Sequence, residues 1–289
     1  MTHPQRQAVH PTTPSGTHLQ PSGESLDVDA GDVRLRVLRY RADQDAPPLI
    51  LLPGITTTAF AAEFIAAELT GSHTVYVPDL RGRGRSGRAA AGRHTLRHYV
   101  SDVAALVETF HLAAPALLGH SLGARIAAWY AVAHPGRRSA LVLVDPPLSG
   151  PGRRPYPTTR QDFLDQLDEV AGGAGPEQIR SRYPAWPDRE LRIRAQELRT
   201  CDRQAVVETL QGFHSEDFHE LWSRLDGPAV LVYGERSPVV TAQDVQELGR
   251  LNPEVPLVAV PGAGHMVPWD NPRAFLTAIR PYLRRREDV

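Results

Sequence analysis

Gly119-His120-Ser121-Leu122-Gly123 sets a serine between two glycines, directly after the apolar run Ala116-Leu117-Leu118 and before a helical pattern that opens at Leu122. A strand, a sharp turn and a helix in that order hold a serine hydroxyl clear of its neighbours at a sheet edge, as a nucleophile elbow does. The glycines are needed because the turn brings backbone segments too close for a Cβ, and the serine takes strained dihedrals. The competing reading is a tight turn with a buried serine, and the strand-turn-helix context argues against it. A serine hydroxyl attacks only when a base takes its proton, so a histidine must reach it from elsewhere in the chain. Of twelve histidines, His265 in Pro261-Gly262-Ala263-Gly264-His265-Met266 follows the last strand pattern and precedes the final helical one. A loop there projects its side chain over the carboxyl edge of a parallel sheet. His10, His18, His94 and His98 fall in the N-terminal segment or on faces expected to be exposed, and His120 points differently from an elbow side chain. The oxyanion of acyl transfer needs preorganised donors. The backbone N–H groups of Leu122 and of Ile55, in Leu52-Pro53-Gly54-Ile55-Thr56, are expected to supply them.

The third catalytic group is not where such enzymes most often carry it, shortly after the strand that follows the helical insertion. That strand is Val230-Leu231-Val232-Tyr233-Gly234, and Glu235-Arg236-Ser237-Pro238 follows it. Ser237 and Pro238 cannot orient an imidazole as a carboxylate does, and Glu235 comes too early in the turn. Asp145, in Leu143-Val144-Asp145-Pro146-Pro147, ends the strand after the nucleophile helix, and a neighbouring strand delivers its terminal side chain to the same sheet edge. Asp145 is therefore the expected acid, with Glu235 its rival and Asp79 and Asp270 behind. The structural alternative for Asp145 is capping of the turn before two prolines.

These residues need a frame. Short Val- and Leu-rich runs at Leu49–Leu52, Val75–Val77, Ala116–Leu118, Leu141–Val144, Val230–Val232 and Leu257–Val260 read as buried parallel strands. Amphipathic stretches at Ala59–Leu69, Leu96–Phe110, Leu122–Ala133, Ala242–Leu251 and Pro272–Leu283 alternate with them. This order predicts an α/β protein with a doubly wound, mostly parallel sheet. From about Ser149 to Leu225 the strand signal stops and arginine-rich, proline-punctuated helical segments take over. The expected division is a leader at 1–25, a core at 26–148 and 226–289, and a helical cap at 149–225. No internal repeat interrupts it.

Composition narrows the function. The chain of 289 residues is 41% hydrophobic and 22% charged with net charge -1, which gives no electrostatic reason to expect nucleic acid. All 32 basic residues are arginine, a coding bias before it is a function. A single cysteine, Cys201, excludes an internal disulfide framework and suits a reducing compartment. It is expected to be buried in the cap. The Pro-, Thr-, Ser- and His-rich N-terminus lacks an apolar block of signal-peptide or membrane-span length. The expectation is a disordered leader on a cytoplasmic enzyme with no membrane partner; oligomeric state is left open.

Five segments are more specific: Pro53-Gly54-Ile55-Thr56; Arg81-Gly82-Arg83-Gly84; Gly119 through Arg125; Leu143-Val144-Asp145-Pro146-Pro147 through Gly150-Pro151-Gly152-Arg153-Arg154; and Ala263-Gly264-His265-Met266-Val267-Pro268-Trp269-Asp270. With these, everything after the leader resembles the N-formylmaleamate deformylase family, α/β-hydrolases of aerobic nicotinate breakdown. The resemblance implies the α/β-hydrolase fold and a triad of Ser121, His265 and an acid after the strand that follows the nucleophile helix, hence Asp145. It also implies hydrolysis of a small amide that carries a carboxylate, without metal or organic cofactor. Such a substrate calls for a cation, best a bidentate arginine. Arg125, one turn after Ser121, and Arg153 and Arg154, at the start of the cap, are the candidates, with Phe213-His214 as possible lining. Two other classes remain: a hydrolase of the same fold acting on another small ester or amide, and a noncatalytic ligand-binding relative, which would not react with a fluorophosphonate. Epoxide hydrolysis or dehalogenation would need an aspartate in place of Ser121.

Overall fold

The six expected strand runs form the parallel part of one eight-stranded sheet in the computed structural model, which describes residues 18–42 and 45–283. In chain order the strands are β1 (Glu24–Asp29), β2 (Arg34–Tyr40), β3 (Pro48–Leu52), β4 (Thr74–Pro78), β5 (Ala116–His120), β6 (Leu141–Val144), β7 (Ala229–Gly234) and β8 (Leu257–Val260). They lie side by side as β1-β2-β4-β3-β5-β6-β7-β8. The central strands β5 and β6 are buried along their whole length, because helices cover both faces of the sheet. β1 and β2 make an antiparallel hairpin, and β2 pairs antiparallel with β4. The apolar-run criterion passed over this hairpin because its strands alternate apolar residues with Asp and Arg, the pattern of a sheet margin.

The crossovers carry α1 (Glu63–Leu69), α2 (Leu96–Thr109), α3 (Leu122–Ala133) and, past β7, α9 (Ala242–Leu251); α10 (Val267–Asp270) and α11 (Pro272–Leu283) end the described chain. Between β6 and β7 lie five further helices, α4 (Arg160–Ala171), α5 (Pro176–Arg180), α6 (Asp188–Leu198), α7 (Arg203–Ser215) and α8 (Phe218–Ser223). Thr159 and Asp162 close a reciprocal capping box at the start of α4. The insertion is bonded to the core loops. Thr58 donates to Glu197 on α6 at 2.8 Å, and Arg83 donates to Thr209 on α7 at 3.0 Å.

Two sequence expectations change. Residues 18–25 belong to the folded unit: Leu19 exchanges hydrogen bonds with Gln196, and Glu24 and Ser25 begin β1. The rest of the expected leader, 1–17, lies outside the described residues. His94 is buried and not on an exposed face; its Nδ1 contacts Glu208 at 2.8 Å.

Candidate active site

At the end of β5 the chain turns through Ser121 with φ 55° and ψ −116° and enters α3 directly. Both flanking glycines are forced by space. A Cβ on Gly119 would lie 2.2 Å from the Gly123 carbonyl oxygen, and one on Gly123 would lie 1.9 Å from that of Leu52. The Ser121 N–H donates to the Val144 carbonyl at 2.8 Å and ties the turn to the end of β6. The serine is thus held in an unfavourable left-handed conformation by the sheet on one side and the helix on the other.

Asp145 follows β6, fully buried and also at positive φ, 47°. Its Oδ1 accepts the Gly234 N–H at 3.1 Å, and its Oδ2 accepts the Ser237 hydroxyl at 2.5 Å and His265 Nδ1 at 2.7 Å. His265 Nε2 lies 3.1 Å from Ser121 Oγ. Ser121, His265 and Asp145 therefore form one unbroken chain of hydrogen bonds. Ser237, in the turn after β7, donates to Asp145 itself. Its rival Glu235 is exposed and accepts the Gly262 N–H instead. Asp79 is buried against Arg36 at 2.7 Å, and Asp270 accepts the Gly264 N–H, steadying the turn before the histidine.

His120 has a part the sequence did not suggest. Its Nε2 donates to the His265 carbonyl at 2.9 Å, and its ring lies 5.1 Å from that of His265 and 5.6 Å from that of Trp269. Burial, helped by the neighbouring His265, pushes its pKa down to about 3. A neutral imidazole here holds the His265 backbone without placing a positive charge beside that ring.

The N–H groups of Ile55 and Leu122 have no protein acceptor among the described residues. Arg83, buried in the Arg81-Gly82-Arg83-Gly84 segment, donates from Nε to the Ile55 carbonyl at 3.0 Å and fixes that loop. Beside Ser121 opens a cavity of about 320 Å³, lined by Gly54, Ile55, Thr56, His265, Tyr156, Phe163, Tyr183, Arg182 and Arg194 among others. Arg194 bonds the Thr56 carbonyl and, at 2.9 Å, the Thr56 hydroxyl; Arg182 pairs with Glu169 at 2.6 Å.

The arginines expected to face the substrate lie elsewhere. Arg125 is fully buried and donates to the carbonyls of Pro147, Ser149 and Glu216, lacing α3 to both ends of the insertion. Desolvation lowers its pKa to about 10. Arg153 pairs with Glu247 at 3.0 Å and Arg154 with Asp244 at 2.6 Å, both on α9. His214 is exposed, while Phe213 packs 5.2 Å from Tyr156. Arg182, Tyr183, Arg194 and Tyr156 were missed. A signal existed only for Arg194, which interrupts the buried run Leu191, Ile193, Ala195 and Leu198 of α6. Cys201 is buried in the insertion near the Thr56 carbonyl, unpaired. Among the described residues, no group of three or more His, Cys, Asp or Glu could hold a metal ion, and no helix is long and apolar enough to cross a membrane.

Comparison with known proteins finds relatives that span the fold. N-formylmaleamate deformylase of Pseudomonas putida is 35% identical over 257 residues, 89% of this chain and 95% of that protein. 2-(Acetamidomethylene)succinate hydrolase of Mesorhizobium japonicum is 30% identical over 277 residues, 90% of this chain and 95% of the relative. A crystal structure of an N-formylmaleamic acid deformylase variant from Pseudomonas putida superposes with TM-score 0.82 at 35% identity, covering 89% of this chain and 99% of that one. A family profile described as alpha/beta hydrolase fold matches residues 47–272, and the chain belongs to that family.

Proposed function

We propose that the protein is a serine hydrolase that cleaves the formyl C–N bond of N-formylmaleamate, or of a close analogue carrying a carboxylate, to release formate and the amide. One observation carries this reading: the chain from Ser121 Oγ through His265 to Asp145 opens on the cavity that Arg182 and Arg194 line. Two relatives spanning the fold bear the names of hydrolases of N-formylmaleamate and of 2-(acetamidomethylene)succinate. Both substrates combine an N-acyl group with at least one carboxylate.

Ser121 Oγ attacks the formyl carbon while His265 Nε2 takes its proton, and Asp145 holds the Nδ1–H tautomer and stabilises the imidazolium. The Ile55 and Leu122 amides receive the oxyanion. His265 then protonates the departing nitrogen, the C–N bond breaks, and water activated by the same histidine hydrolyses the formyl ester. Arg182 and Arg194, both lining the cavity, receive the carboxylate. Helices of 149–225 act as a cap over a core that runs from the first described residues to 148 and resumes over 226–289. The unpaired, buried Cys201 favours a cytoplasmic setting. An enzymatic formate assay tests the reading. Wild type should release formate from N-formylmaleamate, and Ser121→Ala should stop both this and p-nitrophenyl ester cleavage. Ester cleavage without formate release would keep the serine hydrolase and discard the substrate.

A further inference from the structure

Tyr156 enters the site from the segment that joins β6 to α4, and its hydroxyl lies where wall packing does not require one. The ring is 6% exposed, stacks on Phe163 at 6.3 Å, sits 5.2 Å from Phe213 and stands edge-on to His265 at 6.2 Å. Phenylalanine would fill that space equally well. A buried tyrosine hydroxyl normally finds a backbone or side-chain partner remote from chemistry. This one lies 3.2 Å from His265 Nε2 and also interacts with the Ser121 hydroxyl.

In acyl transfer the base's Nε2 addresses two atoms in turn, the nucleophile's oxygen and then the leaving atom. A group within hydrogen-bond distance of Nε2 therefore stands beside the leaving atom. The acyl oxygen is already served from other elements, by the amides after β3 and at the start of α3. Resting on the serine hydrolase reading above, we propose that Tyr156 is a further catalytic residue whose phenol donates a hydrogen bond to the leaving half of the substrate. Its target is the leaving heteroatom or, in an N-acylated amide, the carbonyl oxygen conjugated with the leaving nitrogen. His265 delivers the proton to nitrogen, the electron pair of the broken C–N bond goes to the same nitrogen, and Tyr156 keeps its proton throughout. Burial holds the phenol well above the usual tyrosine range, which keeps it a donor. The aromatic packing fixes the donor before substrate arrives, the condition under which such bonds act on rate.

The test is the leaving-group dependence of Tyr156→Phe. kcat/KM is measured for wild type and variant on p-nitrophenyl formate, phenyl formate, ethyl formate and N-formylmaleamate. p-Nitrophenolate leaves without help, so the variant's loss on that ester should be the smallest of the series, and its Tm against wild type reports an intact fold. On ethyl formate and the amide the loss should reach about 30- to 100-fold, somewhat less than removal of an oxyanion donor costs. A uniform loss across the series, or no loss at all, would overturn the proposal and leave Tyr156 a wall residue. If wild type ignored N-formylmaleamate while the ester series still steepened in the variant, the substrate assignment would fall and the role of Tyr156 would stand.

Discussion

The carboxyl edge of the sheet and the helical insertion above it reach the same cavity by different means. At the edge, Ser121 and Asp145 each occupy the first position after a strand, and backbone hydrogen bonds to the adjacent strands, from Ser121 to Val144 and from Asp145 to Val232, aim them. In the insertion, Tyr156, Arg182 and Arg194 come from three separate segments, and their aim depends on side-chain contacts with Phe213, Glu169 and Thr56. The ladder aims the first set, and side-chain packing the second; on the proposed function these carry chemistry and selectivity respectively. Substitutions at the edge should therefore change turnover on every substrate, and those in the insertion should change which substrate is preferred.

The largest contrast expected lies within the edge. Asp145→Asn should lower kcat by about 10⁴-fold on formyl amide and ester alike, because the amide side chain favours the wrong tautomer of the base. Glu235→Gln should leave both rates within about twofold, as a surface change remote from the chemistry. Steady-state kinetics of the two variants decides between the acids, and a collapse in Glu235→Gln would reverse the assignment.

Next comes the contrast between arginines of the two regions. Losing a charge-assisted contact costs about 1.5–3 kcal/mol, so Arg182→Met should raise KM for the anionic substrate by about 10- to 100-fold and leave p-nitrophenyl ester cleavage near wild type. Arg125→Met should do the opposite. It strands the carbonyls of Pro147, Ser149 and Glu216, and urea titration should find a stability loss of about 3 kcal/mol with KM little changed. An unchanged KM in Arg182→Met would move the carboxylate elsewhere in the cavity.

The smallest effect concerns pH. With His120 held down at about 3 in the fold and near 6.5 when unfolded, the unfolded chain binds the extra proton. The stability this contributes is fully present above 6.5 and is lost as pH falls from there toward 3. His94 and His219, also lowered by burial, act in the same direction, while the buried carboxylates Asp79 and Asp102, raised by burial, oppose it. Those groups persist in His120→Gln, so the difference isolates one residue. The variant's Tm should fall less steeply than wild type between pH 6.5 and 4, and parallel curves would mean that His120 does not titrate as described.

Strand ends are easy to read because an apolar run bounded by a turn gives both the strand and its exit residue. Ser121, Asp145 and His265 were singled out that way, and the structure brings the three within hydrogen-bond distance of one another. β1 and β2 escaped the same criterion because a margin strand alternates with charge. Arg81-Gly82-Arg83-Gly84 was visible as a motif, but its work, a guanidinium on the Ile55 carbonyl and a Gly84 whose Cβ would lie 2.1 Å from Asp79, appears only in three dimensions.

By itself the sequence determined the alternation of strand and helix, the elbow, and the three side chains that the fold joins by hydrogen bonds, because each follows from local periodicity and from its place after a strand. Only the tertiary structure decided which arginines face the cavity, that Arg125 is a brace between α3 and the insertion, and that the Tyr156 hydroxyl lies beside His265 Nε2. In a chain whose 32 basic residues are all arginine, type carries no information about place. Place is set by contacts between residues far apart in the chain, such as Arg194 with Thr56 and Tyr156 with His265, and no local pattern encodes these.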